Sequence, residues 1–470
     1  MQVILAIIAL GVVVWGAIWA VRGSLIAGGL AVLVATCCLG PYFFSFDVAG
    51  VTLTIDRLLV AGLCMAWAAQ WRMGKLKLNK LNLADWSLLT FVAWLTFSML
   101  THDWSGVSGA GTPVPQHLIN GYLIPLALFW VARQSNLTER NVTWVLLGLA
   151  GFGIYLALTG LAEAAGAWAL VFPRYIADPE IGLHFGRARG PMIHSVSYGL
   201  YLSAGLFAVW LLKDRIHWRY HTVLSAVAIP LMAAAVYFTK TRSVWVGAAC
   251  GVLLVLFYTL RGRMRVVVVG GLVSAGLMVG IMKMDSIMGL QREGTVSDTR
   301  QSADMRKSFA YTSWKMFQDR PLLGFGFGQY AQEKLPYLTD RNVDLQLEQI
   351  RTYVHHNTFL AVLTETGLIG LTLFLVVLGC WVKAGWRLLK SENSPLWAQR
   401  HGLLMLAVLA LAFWQMIGHE ITFTPIDNSL IYFLAGITVG LLPVAQSANA
   451  SHEAASLRLP GRNTPAPLST

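Results

Sequence analysis

Apolar residues in this chain come in long unbroken blocks, separated by shorter polar segments. The blocks run to about 17–22 residues, the length that crosses the hydrocarbon core of a bilayer as a helix. They lie at 2–20, 25–44, 51–70, 84–101, 118–132, 143–163, 191–212, 222–238, 243–260, 266–282, 357–380, 402–418 and 428–445. Each is uniformly apolar and does not alternate, which predicts membrane helices and not the strands of a β-barrel. The expected fold class is all-α: a polytopic helical membrane protein of twelve or thirteen transmembrane helices. The number turns on whether the short blocks at 25–44 and 118–132 cross fully or as half-helices. The first block has no basic segment ahead of it and runs on into further spans, so it reads as a retained helix and not a cleaved signal peptide.

Composition supports this pattern, with 56% hydrophobic and 12% charged residues, about half the charge of a soluble domain. The net charge of +12 does not point to nucleic acid, because the basic residues are grouped in alternate loops. The groups are Arg72, Lys75, Lys77 and Lys80; Arg133 and Arg140; Lys213, Arg215 and Arg219; Arg261, Arg263 and Arg265; and Lys383, Arg387, Lys390 and Arg400. That alternation assigns those loops to the cytoplasmic side. The intervening loops, 102–117, 164–190, 239–242, 283–356 and 419–427, then face outward. The five cysteines all fall within apolar blocks, with no metal-ligand spacing, and read as small buried hydrophobes.

The outward loop 283–356 is too long for a simple connector, and long loops with structure of their own are usually functional. It holds helix-like stretches at 303–318 and 342–353 and the turn Leu323-Gly-Phe-Gly-Phe-Gly328. The expected organisation is 1–184, N-terminal transmembrane helices; 185–380, a core that includes the loop; 381–445, C-terminal transmembrane helices; and 446–470, a disordered tail rich in Ala, Ser and Pro. There is no internal repeat.

Three outward clusters could carry chemistry. In Gly186-Arg-Ala-Arg-Gly-Pro-Met-Ile-His-Ser195, Arg187 and Arg189 precede a helix expected to begin near Pro191. Guanidiniums beside a helix N-terminus suit an anion, although each could equally snorkel to lipid headgroups. In Thr239-Lys240-Thr241-Arg242-Ser243, Lys240 and Arg242 occupy a very short turn between two apolar blocks. Charge pressed so near hydrocarbon points to function, with interfacial anchoring as the alternative. The third cluster, Tyr353-Val-His355-His356-Asn357, opens a span that continues through Glu365-Thr-Gly-Leu-Ile-Gly370. Adjacent histidines do not share a helix face and make a poor metal pair. A neutral imidazole beside bound anion can instead accept a proton. Glu365 reads as a polar contact between helices. A P-loop, a Gly-x-Ser-x-Gly elbow, a Cys-x-x-Cys pair and a carboxylate-rich metal loop are all missing from the sequence, which argues against an ATP-driven pump or a cytoplasmic-type hydrolase.

Thr241-Arg242-Ser243, then Asp319-Arg-Pro-Leu-Leu-Gly324-Phe-Gly326-Phe-Gly328, then His356-Asn357 with Glu365-Thr-Gly-Leu-Ile-Gly370 together resemble the O-antigen ligase and Wzy polymerase superfamily, most clearly over 185–380. The resemblance implies a GT-C-like fold in the bacterial inner membrane with the large loop in the periplasm. It also implies inverting glycosyl transfer with no metal or cofactor. The donor would be an undecaprenyl-diphosphate-linked glycan, and the acceptor a glycan, lipid A-core or protein. Carried over by motif position, Arg242 holds the diphosphate and His356 activates or orients the acceptor hydroxyl. Arg187 or Arg189, Arg306, Lys240 and His355 would contribute to substrate binding. Where many members have an Asn-rich stretch, this chain has His194-Ser195-Val-Ser197-Tyr198. The alternative is a transporter of lipid-linked sugars, which should show deep intramembrane charges and repeated halves.

Overall fold

The computed structural model describes residues 16, 21–43, 45–48, 51–108, 111–282, 296–423 and 425–456. The expected first span, 2–20, therefore lies outside the described residues apart from Gly16, as do 283–295 of the large loop and 457–470 of the tail.

Among the described residues, eight helices are long and apolar enough to cross a membrane: Leu83–Leu100, Glu139–Ala164, Ser195–Asp214, Trp218–Phe238, Arg242–Thr259, Thr358–Lys390, Leu396–Gly418 and Pro425–Val444. Helices also stand at the other expected positions, as Leu25–Cys38, Ile55–Arg72, Gly262–Met282 and a broken run over 114–133. One block begins differently. Val51–Thr54 pairs as an antiparallel strand with Ser45–Val48, in register Ser45↔Thr54, so the following helix starts at Ile55. Three of the four residues in Val-Thr-Leu-Thr are β-branched, a composition that suits a strand. The last helix extends to Ser456, beyond the point at which composition places the start of a disordered tail.

The run over 114–133 is α-helical at Val114–Leu118, π-helical at Ile119–Leu123 and α-helical again at Ile124–Arg133. Pro125 supplies no N–H, so the carbonyl four residues earlier goes unused by the helix. That carbonyl, on Gly121, accepts instead from Asn428 Nδ2 at 2.8 Å. The helix ends sort into two groups. The basic segments after Arg72, Arg133, Leu211, Thr259 and Lys390 gather at one end, tied by contacts such as Arg133 Nη2 to the Lys80 carbonyl and Lys213 Nζ to the Thr259 carbonyl. The opposite end carries 165–194, the turn at 239–241, the large loop and 419–423.

In the large loop the first helix is longer than expected, Val296–Asp319. The second expected stretch, 342–353, holds only a single 3₁₀ turn, Leu347–Ile350. Phe309, Met316, Phe325, Tyr330, Leu347 and Ile350 close a small apolar core within the loop.

This loop is fastened to the bundle by backbone. The helix Thr358–Lys390 breaks at Gly367, with φ 67° and ψ −169°. Into that break lies 321–328. Phe325 N–H donates to the Thr364 carbonyl (3.0 Å), Gly326 N–H to the Glu365 carbonyl (2.8 Å) and Leu368 N–H to the Pro321 carbonyl (2.8 Å). Glu365 is therefore not the helix–helix contact expected of it, since its Oε2 accepts from Gly328 N–H at 2.9 Å. The glycines permit the approach: a Cβ on Gly367 would lie 2.1 Å from the Leu322 carbonyl oxygen, and one on Gly324 2.5 Å from the Glu365 carbonyl carbon. Gly367→Ala is expected to destabilise by at least about 2 kcal/mol through clash and positive φ, seen as a lower melting temperature and less protein in membranes. Gly379→Ala, where a Cβ meets open space, should change neither.

Candidate functional site

At the end opposite the basic segments, three separate stretches meet. The turn 239–241 is held by Lys240, at φ 46°, whose Nζ donates to the Gly186 carbonyl at 3.2 Å. Ala188 N–H donates to the Phe238 carbonyl at 2.9 Å. These contacts lay the Arg187 segment along the start of the helix that Arg242 opens. Arg242 therefore occupies a helix N-terminus, where aligned peptide dipoles add positive potential. Arg306, from the loop helix, comes close as well. Desolvation first and the charge of Arg242 second hold its pKa below the ordinary value.

His356 sits at the foot of the loop. Asn357 caps the next helix by accepting from Leu360 N–H at 2.9 Å, and its Nδ2 donates to the Ile417 carbonyl at 3.0 Å. One residue thus fixes both the helix start and its neighbour's end, and sets the backbone that carries His356. The imidazole packs edge-on against Phe309 (4.9 Å between centroids) and faces His419 (6.4 Å).

Further imidazoles join it. His184 and His194 stack at 5.3 Å. Ser195 Oγ is hydrogen-bonded to His184 Nδ1 (2.9 Å) and to Thr241 Oγ1 (3.0 Å), which links the histidine pair to the residue before Arg242. His194 Nδ1 meets Ser197 Oγ at 2.9 Å, and that hydroxyl donates to Asp427 Oδ2 at 3.0 Å. Burial, then the charges of His356 and Arg187, push the His194 pKa down to about 4. Desolvation, then His194, His356, His184 and Arg306, hold His419 well below the usual imidazole range. At neutral pH both rings are neutral, and the positive field belongs to the guanidiniums.

The other expected residues are placed differently. Arg189 is buried, 1% exposed. Its guanidinium donates to the carbonyls of Ile176, Asp178, Ile181 and Leu183 at 2.7–3.4 Å, and the Glu163 carboxylate accepts from the N–H groups of Arg189 and Gly190. The expected substrate contact is thus a scaffold that folds the loop carrying Arg187. The helix it was to precede starts at Ser195 and not near Pro191, after a left-handed Ile193 at φ 47°. His355 also turns away from the cluster. It stacks on Tyr330 at 3.4 Å, and its Nε2 meets Thr364 Oγ1 at 2.8 Å. With His117, Glu365 and Glu420 it lines a small cavity of about 10 Å³, room for one water at most. Burial holds the His355 pKa well below the usual range and raises that of Glu420 to about 7.

His419, His184 and His194 were not among the expected site residues. Gly418-His-Glu420 follows an apolar block on the outward side, the same signature that marks the turn at Lys240, so His419 was available to that argument. The pairing of His184 with Ser195 has no sequence signal.

Lys334 braces this end from within the loop. It is fully buried, donating to the Ile350 carbonyl at 2.8 Å and to that of Tyr353. Residues 226–375 match the family model described as O-Antigen ligase. No curated protein matches the chain.

Arg189→Lys is expected to cost about 2–4 kcal/mol, because buried carbonyls lose their donors. The measurement is thermal unfolding of the purified protein. A residue serving only to touch substrate would leave the melting temperature where it was.

Proposed function

Because the chain belongs, through residues 226–375, to the O-antigen ligase and Wzy superfamily, we propose that it transfers a glycan from an undecaprenyl-diphosphate carrier to an acceptor hydroxyl at the periplasmic face of the bacterial inner membrane. The acceptor class comprises another glycan, a lipid A-core or a protein. What supports this reading is the contact, at the bundle end away from the basic loops, of the segment bearing Arg187 with the turn before Arg242 (Ala188 N–H to the Phe238 carbonyl, 2.9 Å; Ser195 Oγ to Thr241 Oγ1, 3.0 Å) and of His356 with His419 (6.4 Å between centroids), with Arg242 near enough to Arg306 to lower its pKa. Under the positive-inside rule the basic end is cytoplasmic and the site faces the periplasm. In this reading 283–356 is the periplasmic loop, and twelve or thirteen helices cross the membrane.

In the proposed reaction the acceptor oxygen attacks the anomeric carbon as the bond from that carbon to the phosphate oxygen breaks. The electron pair of that bond leaves with the diphosphate, on which charge grows. Arg242, with Arg306 and Arg187, stabilises that charge, and Lys240 holds the turn that presents Arg242. The proton of the acceptor hydroxyl passes to the imidazole of His356. His355 supports the loop from beneath, and Arg189 shapes the segment that offers Arg187. A single displacement inverts the anomeric centre.

His356→Ala is expected to reduce transfer by about 10²–10⁴-fold, and Arg242→Ala by a comparable factor, with normal amounts of folded protein in each case. The assay uses purified full-length chain, a synthetic undecaprenyl-diphosphate glycan and candidate acceptors, and reads formation of a new glycosidic bond. A wild-type protein that moves the lipid-linked glycan across vesicles without ever forming that bond would be a transporter, and the proposed chemistry would fall. Unchanged transfer by His356→Ala would remove that residue from the reaction.

A further inference from the structure

The basic end of the bundle holds a groove of about 450 Å³ between the segment 79–84, the helix Thr358–Lys390 and the final helix. Lys80, Lys383 and Arg387 line it, together with the apolar side chains of Leu83 and Leu442. Lys383 and Arg387 are four residues apart and share one helix face. Among the described residues none of these three cations takes part in an ion pair.

The floor of the groove includes Arg133, which is 1% exposed. Its Nε donates to Asp85 Oδ1 at 3.1 Å and its Nη2 to Asp85 Oδ2 at 3.2 Å. Asp85 is thereby neutralised, so it does not offset the charge of the lysines and Arg387. Nη1 of Arg133 has no hydrogen-bond partner among the described residues. A buried guanidinium N–H without an acceptor is costly, and Arg133 adds to the positive charge beneath the groove.

We propose that this groove binds one anionic phospholipid of the phosphatidylglycerol or cardiolipin class. Its phosphate lies among Lys80, Lys383 and Arg387, and an acyl chain runs along the wall at Leu83 and Leu442. Cations alone would suit any phosphate. The apolar wall between helices selects one that carries hydrocarbon, and basic pockets between helix ends on the cytoplasmic side are suited to such headgroups. The site is independent of the glycan-transfer reading, lies at the other end of the bundle, and shares no residue with the histidine cluster.

The test uses full-length protein, stripped of lipid in a neutral detergent, and follows its melting temperature as lipid is added in mixed micelles. Phosphatidylglycerol should raise it, phosphatidylcholine should not, and inorganic phosphate should do nothing at the same concentrations. The Lys383→Gln/Arg387→Gln variant should need at least about tenfold more phosphatidylglycerol for the same rise. Arg140→Gln/Arg263→Gln, which removes equal charge from the same end outside the groove, should behave as wild type. Should the first variant melt low before lipid is added, Lys80→Gln on the loop serves the same comparison. Equal responses of the groove and control variants, an equal response to phosphatidylcholine, or a full response to inorganic phosphate alone would each overturn the proposal.

Discussion

A helix that breaks among apolar neighbours leaves backbone groups needing partners, and in such surroundings water cannot supply them. The break at Gly367 is the point on which the outer end of this protein depends. Its N–H and C=O groups are satisfied by the loop segment 321–328, and the loop in turn has its Gly-rich turn fixed by Glu365. The exchange is mutual: the helix could not open without the loop, and the loop would have no anchor without the opening. It also explains why a Gly-rich turn and a Glu-Thr-Gly triplet occur in one sequence, since each removes the side chain that would hold the other away. His356 is held between this junction and the helix cap at Asn357, so the position of a candidate base follows from backbone pairing.

The electrostatics of the same end follow from burial. Imidazoles crowded together and near guanidiniums are disfavoured as cations. His194 and His419 are therefore neutral where the arginines stay charged. In the proposed reaction, the anionic charge growing on the leaving diphosphate would offset the guanidiniums and ease protonation of a neutral ring. The relay from His194 through Ser197 to Asp427 orients one ring. It gives a physical role to the His-Ser-Val-Ser stretch: an imidazole and hydroxyls supply the hydrogen bonds that tie this segment to Asp427.

Much of this was legible in the chain. Hydrophobic blocks of membrane length located the helices, and alternate basic loops separated the two ends, because both patterns are set by the solvent on either side of each residue. Arg242 and His356 stood out by their place at the rims of apolar blocks, and their roles belong to the proposed reading. Arg189 stood out in the same way: from sequence, a cation that binds substrate and one that collects four carbonyls look alike, and only the path of 174–193 around its guanidinium separates them. The strand pair at 45–54, the single turn left of the stretch 342–353 and the stacking of His184 on His194 depend on tertiary packing that local pattern does not encode.

The carboxylates near the cluster bear on the stereochemical course. A double displacement needs a carboxylate free to reach the anomeric carbon. Glu365 has Oε2 bound to Gly328 N–H and lines a small cavity with Glu420. Glu420 is turned back on its own chain, where Oε1 accepts from the N–H and hydroxyl of Thr422. Asp427 is 1% exposed and accepts from the Ser197 hydroxyl. Each commits one oxygen to a backbone or hydroxyl group. The proposed direct attack needs no carboxylate nucleophile, so under that reading the three carboxylates serve to fix the backbone and hydroxyl groups around the imidazoles.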